Sequence, residues 1–365
     1  MAACAAAEVP PLSQPLDLDA MPSDQRLIVV MTLLKTADGA ERLGAYIRDA
    51  GTKPETAAAL GVLSFMASRR GPFSDAEARR FAALYSVAAR SHNSEIQRQA
   101  LAGLGALQKR GLADETLAEM LSSSPPESRG AVLTAIGAAA SARILPALEG
   151  YLKQKDIPWR DKALAAQAAS SIRSRASLHL LETLATDSHD VVAVNAVHGI
   201  GMQPYPEAAT ALLKAAEDKR PAVRAAAYTE LFQHVPTGLL DADKGRKYWE
   251  LAQRLDTEDA ATLLPLIGLL LRAGREDAMK KLRSLEPAEA AVPLVVKGLG
   301  YYGAEKHDGG LLLKLFEHCT DDDTAVRTAA LRSMGRCRAN VDYAEFLLSV
   351  VVGGFSAQEK SAALD

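Results

Sequence analysis

Apolar positions along this 365-residue chain follow a pattern that recurs from one end of the sequence to the other. In each copy an apolar residue is followed four, five and eight positions later by further apolar residues. The clearest copy runs from Val326 to Gly335, and the stretches from Val192 to Gly201 and from Ile96 to Gly105 match it in every apolar slot. Nine copies, most of them 31 to 36 residues apart, begin at positions 52, 96, 128, 159, 192, 223, 259, 291 and 326.

This spacing predicts a series of helices that each bury one face. Offsets 0, 4, 5 and 8 lie at about 0, 40, 140 and 80 degrees around a helix that turns 100 degrees per residue, so they form one stripe. Glycine follows the last apolar slot in seven of the nine copies. Because glycine inside a helix costs about 1 kcal/mol relative to alanine, its recurrence predicts that a neighbouring backbone comes too close for a side chain.

A second apolar helix is predicted between successive copies, and capping residues separate the two. The turns Asp187–Asp190, Asp218–Pro221 and Asp321–Thr324 each place a side-chain acceptor or a first-turn proline just before a core helix. Each repeat is therefore read as helix, short turn, helix. One more step of this spacing beyond position 326 predicts a further core helix that begins near Ala357.

The sequence around the turns resembles a known family. An Asp-rich turn followed by Val-Arg-x-x-Ala-Leu and a Leu/Met-Gly pair is similar to the second helix of HEAT repeats, especially the short bacterial type that includes phycobilin lyases. The resemblance covers residues 38–365 and implies an all-α, armadillo-like superhelix: an α-solenoid of about ten HEAT-like hairpins. It also implies a structural contact with a turn carboxylate for four arginines: Arg129, Arg160, Arg224 and Arg327.

The organisation along the chain follows from these boundaries. Residues 1–22 are rich in proline and alanine and predict a disordered leader, and residues 23–365 predict a single HEAT-like solenoid. The final helix begins near Ala357 and the sequence stops at Asp365, so we expect the array to continue beyond this point.

Composition excludes several classes of partner. A formal charge of −3 and a pI near 6.2 give no overall basic field, which disfavours nucleic acid. No apolar run approaches the roughly 18 residues that span a bilayer. The expected compartment is the cytoplasm, although Ala-Ala-Cys at Cys4 resembles the end of a bacterial lipoprotein signal. A periplasmic location, or a lipid anchor at Cys4 after removal of a signal peptide, is therefore the alternative.

Signatures of catalysis are absent from the sequence, which contains no nucleotide-phosphate loop, no Gly-x-Ser-x-Gly and no His-Glu pair. We therefore predict no catalytic residue, no metal site and no cofactor. His179, His189, Asp187 and Asp190 are close enough in sequence to be considered as metal ligands. Their position in and before a capping turn favours a structural role.

The predicted binding surface is the concave face of the solenoid. Offset 6 lies near 240 degrees, opposite the buried stripe, and its residues are small in the first half of the chain but polar and cationic in the second. We expect a non-catalytic scaffold that binds a protein or an extended, acidic peptide there. One alternative is an enzyme or enzyme-partner subunit such as a HEAT-like lyase. Another is a lipid-anchored interaction protein of the cell envelope. The candidate residues are His198, Tyr205, Thr229, Arg272, Lys297, Arg332 and Arg336.

Overall fold

The structure, a computed structural model, divides into two compact units, residues 1–203 (unit 1) and 204–365 (unit 2). Its described residues are 17–18, 21–33, 36–49, 74–91, 93–107, 111–234, 248, 250–306, 311–317, 324–337 and 341–365. These residues form helices and turns, and there is no strand among them. Leu18, within the predicted leader, is buried. The copy that begins at position 52 lies outside the described residues.

Unit 1 consists of helices that alternate between the first and second helix of successive repeats. A 3₁₀ turn, Ala142–Ile144, precedes its seventh helix. The helices are α1 Ser23–Leu33, α2 Ala37–Asp49, α3 Asp75–Ala88, α4 Ser94–Ala106, α5 Asp114–Ser123, α6 Pro126–Ala139, α7 Leu145–Leu152, α8 Trp159–Ser171, α9 Arg175–Ala185 and α10 Asp190–Gly201.

Unit 2 also contains first and second helices of repeats, although α12 and α13 are both second helices. One helical turn, Pro287–Ala290, lies between two of them. The helices are α11 Pro206–Ala215, α12 Pro221–His234, α13 Ala260–Arg272, α14 Glu276–Arg283, α15 Pro293–Lys306, α16 Leu311–Glu317, α17 Thr324–Arg336, α18 Val341–Val352 and α19 Ala357–Leu364.

The second helices of consecutive repeats stack on one another within each unit. In unit 1, α4, α6, α8 and α10 pack in that order; in unit 2, α12, α13, α15, α17 and α19 do so. This arrangement confirms the prediction of an all-α array of HEAT-like hairpins. The helix expected near Ala357 is also present, and its start is fixed by a capping box between Ser356 and Glu359.

Two copies of the repeat are assigned in the wrong register by the sequence. The copy placed at Trp159 begins two residues later, because Trp159 is 41% exposed while Asp161 is buried. The copy placed at Asp259 begins three residues later, at Thr262. Asp259 is the N-cap of α13, where its side chain accepts a hydrogen bond from the Thr262 amide at 3.0 Å.

Close approach between second helices explains most of the recurring glycines. A Cβ at Gly268 would lie 2.8 Å from the Leu294 carbonyl oxygen, and one at Gly300 would lie 2.5 Å from the Cβ of Ser333. The prediction is therefore confirmed between α13 and α15 and between α15 and α17. It is wrong at Gly335, where a Cβ would meet nothing within 4 Å.

Two of the four arginines expected to bind carboxylates bridge consecutive second helices. Arg224 on α12 binds Glu258, just before α13, at 2.6 Å, and Arg327 on α17 binds Glu359 on α19 at 2.6 Å. The other two make different contacts. Arg129 donates to the Ser124 carbonyl oxygen at 3.2 Å, and the Arg160 guanidinium lies 5.5 Å from the centroid of the Trp159 ring.

The Glu258 carboxylate is the centre of a buried polar network. Besides Arg224, it accepts hydrogen bonds from the Tyr228 hydroxyl at 2.8 Å and from the Thr262 hydroxyl at 2.9 Å. Burial alone raises the pKa of Glu258, but these hydrogen bonds and the positive charge of Arg224 outweigh burial and hold it below its ordinary value. The network joins α12 to the start of α13 on a buried side of the helices. We therefore assign it a role in stabilising the fold.

Candidate functional site: a cationic cavity in unit 2

A cavity of about 410 Å³ opens among the stacked second helices of unit 2. Cationic side chains line it from three consecutive second helices: Arg272 from α13, Lys297 from α15, and Arg332 and Arg336 from α17. No aspartate or glutamate is among the described residues that line this cavity. Its described lining therefore carries four positive charges and no negative one, although the chain as a whole is slightly acidic.

Two rings and two guanidinium groups form a cluster in the cavity, where the Phe232 and Tyr301 rings meet edge to face with their centroids 6.1 Å apart. The Arg272 guanidinium carbon lies 4.7 Å from the centroid of the Phe232 ring and 4.5 Å from the centroid of the Tyr301 ring. The Arg336 guanidinium carbon also lies 4.5 Å from the Tyr301 centroid. Contact with aromatic faces holds both arginines in place while their N–H donors lie in the plane of each group.

Burial makes the charge of Arg272 unfavourable where it lies. Desolvation lowers the pKa of this arginine from its ordinary value, and the positive charge of Arg336 acts in the same direction. The structural Arg224 shows the opposite shift, because hydrogen bonds with Glu258 raise its pKa. Burial therefore opposes the charge of Arg272, whereas the Glu258 carboxylate stabilises the charge of Arg224.

One of the cavity's cations binds a carboxylate that is not among the lining residues. Arg332 donates from Nε to Oδ2 of Asp365 at 3.0 Å. Both side chains are about half exposed, so this ion pair contributes little to stability, about 0–1 kcal/mol. It shows the contact that an acidic side chain can make at this edge.

The corrected register explains why these residues meet. The copy on α13 begins at Thr262. In that copy and in its neighbours on α12, α15 and α17, the residue ten positions after the start of the copy lines the cavity. These residues are Gln233, Arg272, Tyr301 and Arg336. Lys297 and Arg332 each lie four residues earlier on α15 and α17, one helical turn away on the same face.

Four of the seven predicted site residues line this cavity, and three lie elsewhere. Thr229 is one turn before the cavity on α12, and its hydroxyl donates to the Ala225 carbonyl oxygen at 2.9 Å. Tyr205 is the N-cap residue of α11 and is half-buried, and His198 is exposed on α10 of unit 1. On α12 only the C-terminal residues Phe232 and Gln233 line the cavity, so Thr229, at offset 6 of that helix, does not.

Sequence reasoning missed the aromatic residues of the site. Neither Phe232 nor Tyr301 is among the candidate residues that the sequence predicts. The available signal was the spacing of four residues from Lys297 to Tyr301 and again from Arg332 to Arg336. Both spacings lie in copies whose register the sequence assigns correctly, so this signal is present in the sequence itself.

The turn considered as a metal site is a capping turn. Asp187 accepts from the His189 amide at 2.9 Å through Oδ1 and binds Lys162 at 2.8 Å through Oδ2. The His189 ring stacks on Trp159, with ring centroids 4.3 Å apart. Among the residues that the structure describes, no group of three His, Cys, Asp or Glu side chains could hold a metal ion.

Comparison with known proteins agrees with the repeat architecture. Residues 177–235 match the family model for HEAT repeats, which spans the hairpin of α9 and α10 and that of α11 and α12. No curated protein matches the chain in sequence. The crystal structure of an engineered protein is similar at 17% identity and a TM-score of 0.40, over 94% of this chain and 98% of that one.

No helix in the described part of the chain is both long and apolar enough to cross a membrane. The matched hairpins, the repeated capping turns and the stacked second helices of both units have one explanation in common. Residues 177–235 are HEAT repeats, and the other described helices repeat the same hairpin architecture.

Proposed function

We propose that this protein is a non-catalytic scaffold and that the cationic cavity of unit 2 binds an acidic, extended segment of a partner protein. The observation that carries the proposal is the convergence of Arg272, Lys297, Arg332 and Arg336 on one cavity whose described lining has no carboxylate. Such a surface attracts and orients negatively charged chains.

The Arg332–Asp365 contact supports an acidic side chain as the occupant of the rim. A partner carboxylate can replace Asp365 at Arg332 at small cost, because the existing ion pair is half exposed. Lys297 is exposed on the neighbouring helix and supplies a second cation for the same segment. Stacked repeats offer such charges along a line, which suits an extended peptide better than a compact ligand.

A charge-reversal experiment tests the proposal. Fluorescein-labelled peptides of alternating Glu and Ala are titrated with the wild-type chain and with the double variant Lys297→Glu plus Arg332→Glu, and binding is followed by anisotropy. The matched control is Lys214→Glu plus Lys280→Glu, which changes net charge equally at exposed positions outside the cavity lining.

We expect the cavity variant to lose at least about tenfold in affinity and the control variant to lose less than about threefold, because local contacts decide more than net charge. Equal losses in the two variants would show that only overall charge matters. Absence of binding by the wild-type chain at low salt would also contradict the proposal.

A further inference from the structure

The cavity has a second, uncharged end next to its cations. The residues that line it nearest the N-termini of α15, α17 and α19 have short or uncharged side chains. They are Pro293, Ala325, Thr328, Ala329 and Gln358, and we call them the neutral end. Pro293 begins α15, while Ala325 and Gln358 are the second residues of α17 and α19. Because Lys297 and Arg332 lie further along α15 and α17, a bound segment meets two surfaces of different character in one cavity.

Resting on the proposed function, we propose that the neutral end binds an apolar side chain of the same partner segment. The partner is then a segment in which an aliphatic residue such as leucine lies about two to five positions from the acidic residues. Lys297, Arg332 and Arg336 hold the acidic residues, and the neutral end holds the aliphatic one.

The spacing follows from the direction of the cavity, which runs along α15 and α17. On α15, Lys297 follows Pro293 by four positions, or about 6 Å along the helix axis. On α17, Arg332 and Arg336 follow Ala325 by seven and eleven positions, or roughly 10 and 17 Å. An extended chain advances about 3.3 Å per residue, so these distances correspond to about two, three and five residues of a bound segment.

The neutral end offers few hydrogen-bond partners to an incoming side chain. Pro293 and Ala325 carry hydrocarbon side chains, and the Thr328 hydroxyl donates to the Thr324 carbonyl oxygen at 2.8 Å within α17. Gln358 is the remaining polar side chain among the described lining residues at this end. A polar side chain that loses its water here is left largely unpaired, whereas an apolar one gains by leaving water. The neutral end therefore favours an apolar side chain.

The apolar contact supplies a selectivity that the cations lack. Exposed cations attract any acidic chain, and salt screens that attraction. Ala325 is exposed and Pro293 is half-buried, so a partner side chain can cover both further. The gain from that contact depends on the apolar area removed from water, and salt does not screen it. The neutral end thus distinguishes a segment with the right spacing from other acidic chains.

Three fluorescein-labelled peptides test the neutral end by anisotropy with the intact chain. They share a central run of alternating Glu and Ala and differ only at two flanking positions, about three residues outside the run on each side. Both flanking residues are leucine, serine or glutamate, so either chain direction places one of them at the neutral end. We expect the leucine peptide to bind about fivefold more tightly than the serine peptide. This ratio should persist as salt is raised, although both affinities fall.

A cation placed at the neutral end should change which flanking residue is preferred. Ala325→Lys should raise the affinity for the glutamate peptide relative to the leucine peptide by at least about fivefold, because it adds a local charge partner. The matched control is Ala261→Lys, since Ala261 is the second residue of α13, is exposed like Ala325 and lies outside the cavity lining. The control should change the same ratio by less than about twofold.

The outcomes separate this inference from the proposed function. Equal affinity for the leucine and serine peptides, with binding still dependent on Lys297 and Arg332, would overturn the apolar contact and leave the acidic-segment proposal standing. An equal change of ratio in Ala261→Lys and Ala325→Lys would also overturn it, because net charge alone would then explain the preference. Failure of all three peptides to bind would overturn the proposed function and this inference together.

Discussion

Substitution of two second-helix glycines by alanine should have opposite effects on stability. Gly268 lies on α13 and Gly335 lies on α17. A Cβ at Gly268 would lie 2.8 Å from the carbonyl oxygen of Leu294 and 2.9 Å from its carbonyl carbon. Favourable contacts begin at about 3.5 Å, so α13 and α15 must separate by roughly 0.7 Å.

The magnitude follows from two opposing terms. Overpacking of this kind costs about 1–3 kcal/mol, and replacement of a helical glycine by alanine recovers about 1 kcal/mol. Gly268→Ala should therefore lower the free energy of unfolding by up to about 2 kcal/mol. Gly335→Ala has open space for its Cβ and should raise the free energy of unfolding by up to about 1 kcal/mol.

Urea denaturation followed by far-UV circular dichroism measures both variants against the wild type. The gain in helix propensity is common to the two changes, so the difference between them, about 1–3 kcal/mol, reports the packing term alone. A shift of midpoint without a change in slope would establish that stability has changed. Stabilisation by both substitutions would refute the close approach of α13 and α15.

Two further predictions concern buried hydrogen bonds. Glu258→Gln should cost about 3 kcal/mol at pH 7, since it leaves Arg224 without its charged partner, and exposed Glu345→Gln is the control. Because the folded-state pKa of Glu258 is lowered, its contribution is present above about pH 4.3 and is lost as pH falls through the lower folded value; urea midpoints measured from pH 7 to pH 3 check this. Burial, together with the hydrogen bond to Asp161, raises the pKa of Tyr151 to about 12, so Tyr151→Phe should remove one late-titrating tyrosine from the ultraviolet absorbance titration. The stabilisation by Tyr151 is present below about pH 10 and is lost as pH rises towards 12; an unchanged titration curve in the variant would contradict the assignment.

The sequence was sufficient to predict the repeat because the apolar slots and capping residues agree with each other in most copies. The sequence was insufficient to predict the register of a copy where two possible registers would each bury apolar residues of similar size. In α13 the run from Leu266 to Leu271 is buried throughout, so the apolar pattern does not single out one face, and only the cap at Asp259 fixes the register. In α8 a tryptophan in an apolar slot was read as core, although it stacks on His189 at the surface.

The cations of the candidate site could be predicted because they lie opposite the buried stripe. The ring at their centre could not, because tyrosine fits a buried slot and a binding surface equally well by residue type. Tyr228 lies in the core and Tyr301 lines the cavity, yet both follow a similar pattern of apolar neighbours. Which tyrosine supports an arginine depends on the distance between helices, and the glycines of α13 and α15 determine that distance.

The bridges made by Arg224 and Arg327 have a consequence for how unit 2 unfolds. Each joins residues more than thirty positions apart in the chain, so the loss of one hairpin removes an interaction from the adjacent one. In a linear array, such coupling between neighbours makes partly melted forms costly relative to fully folded and fully melted ones. We therefore expect hydrogen exchange in α12 and α13 to slow and accelerate together, as one cooperative block, when denaturant is varied.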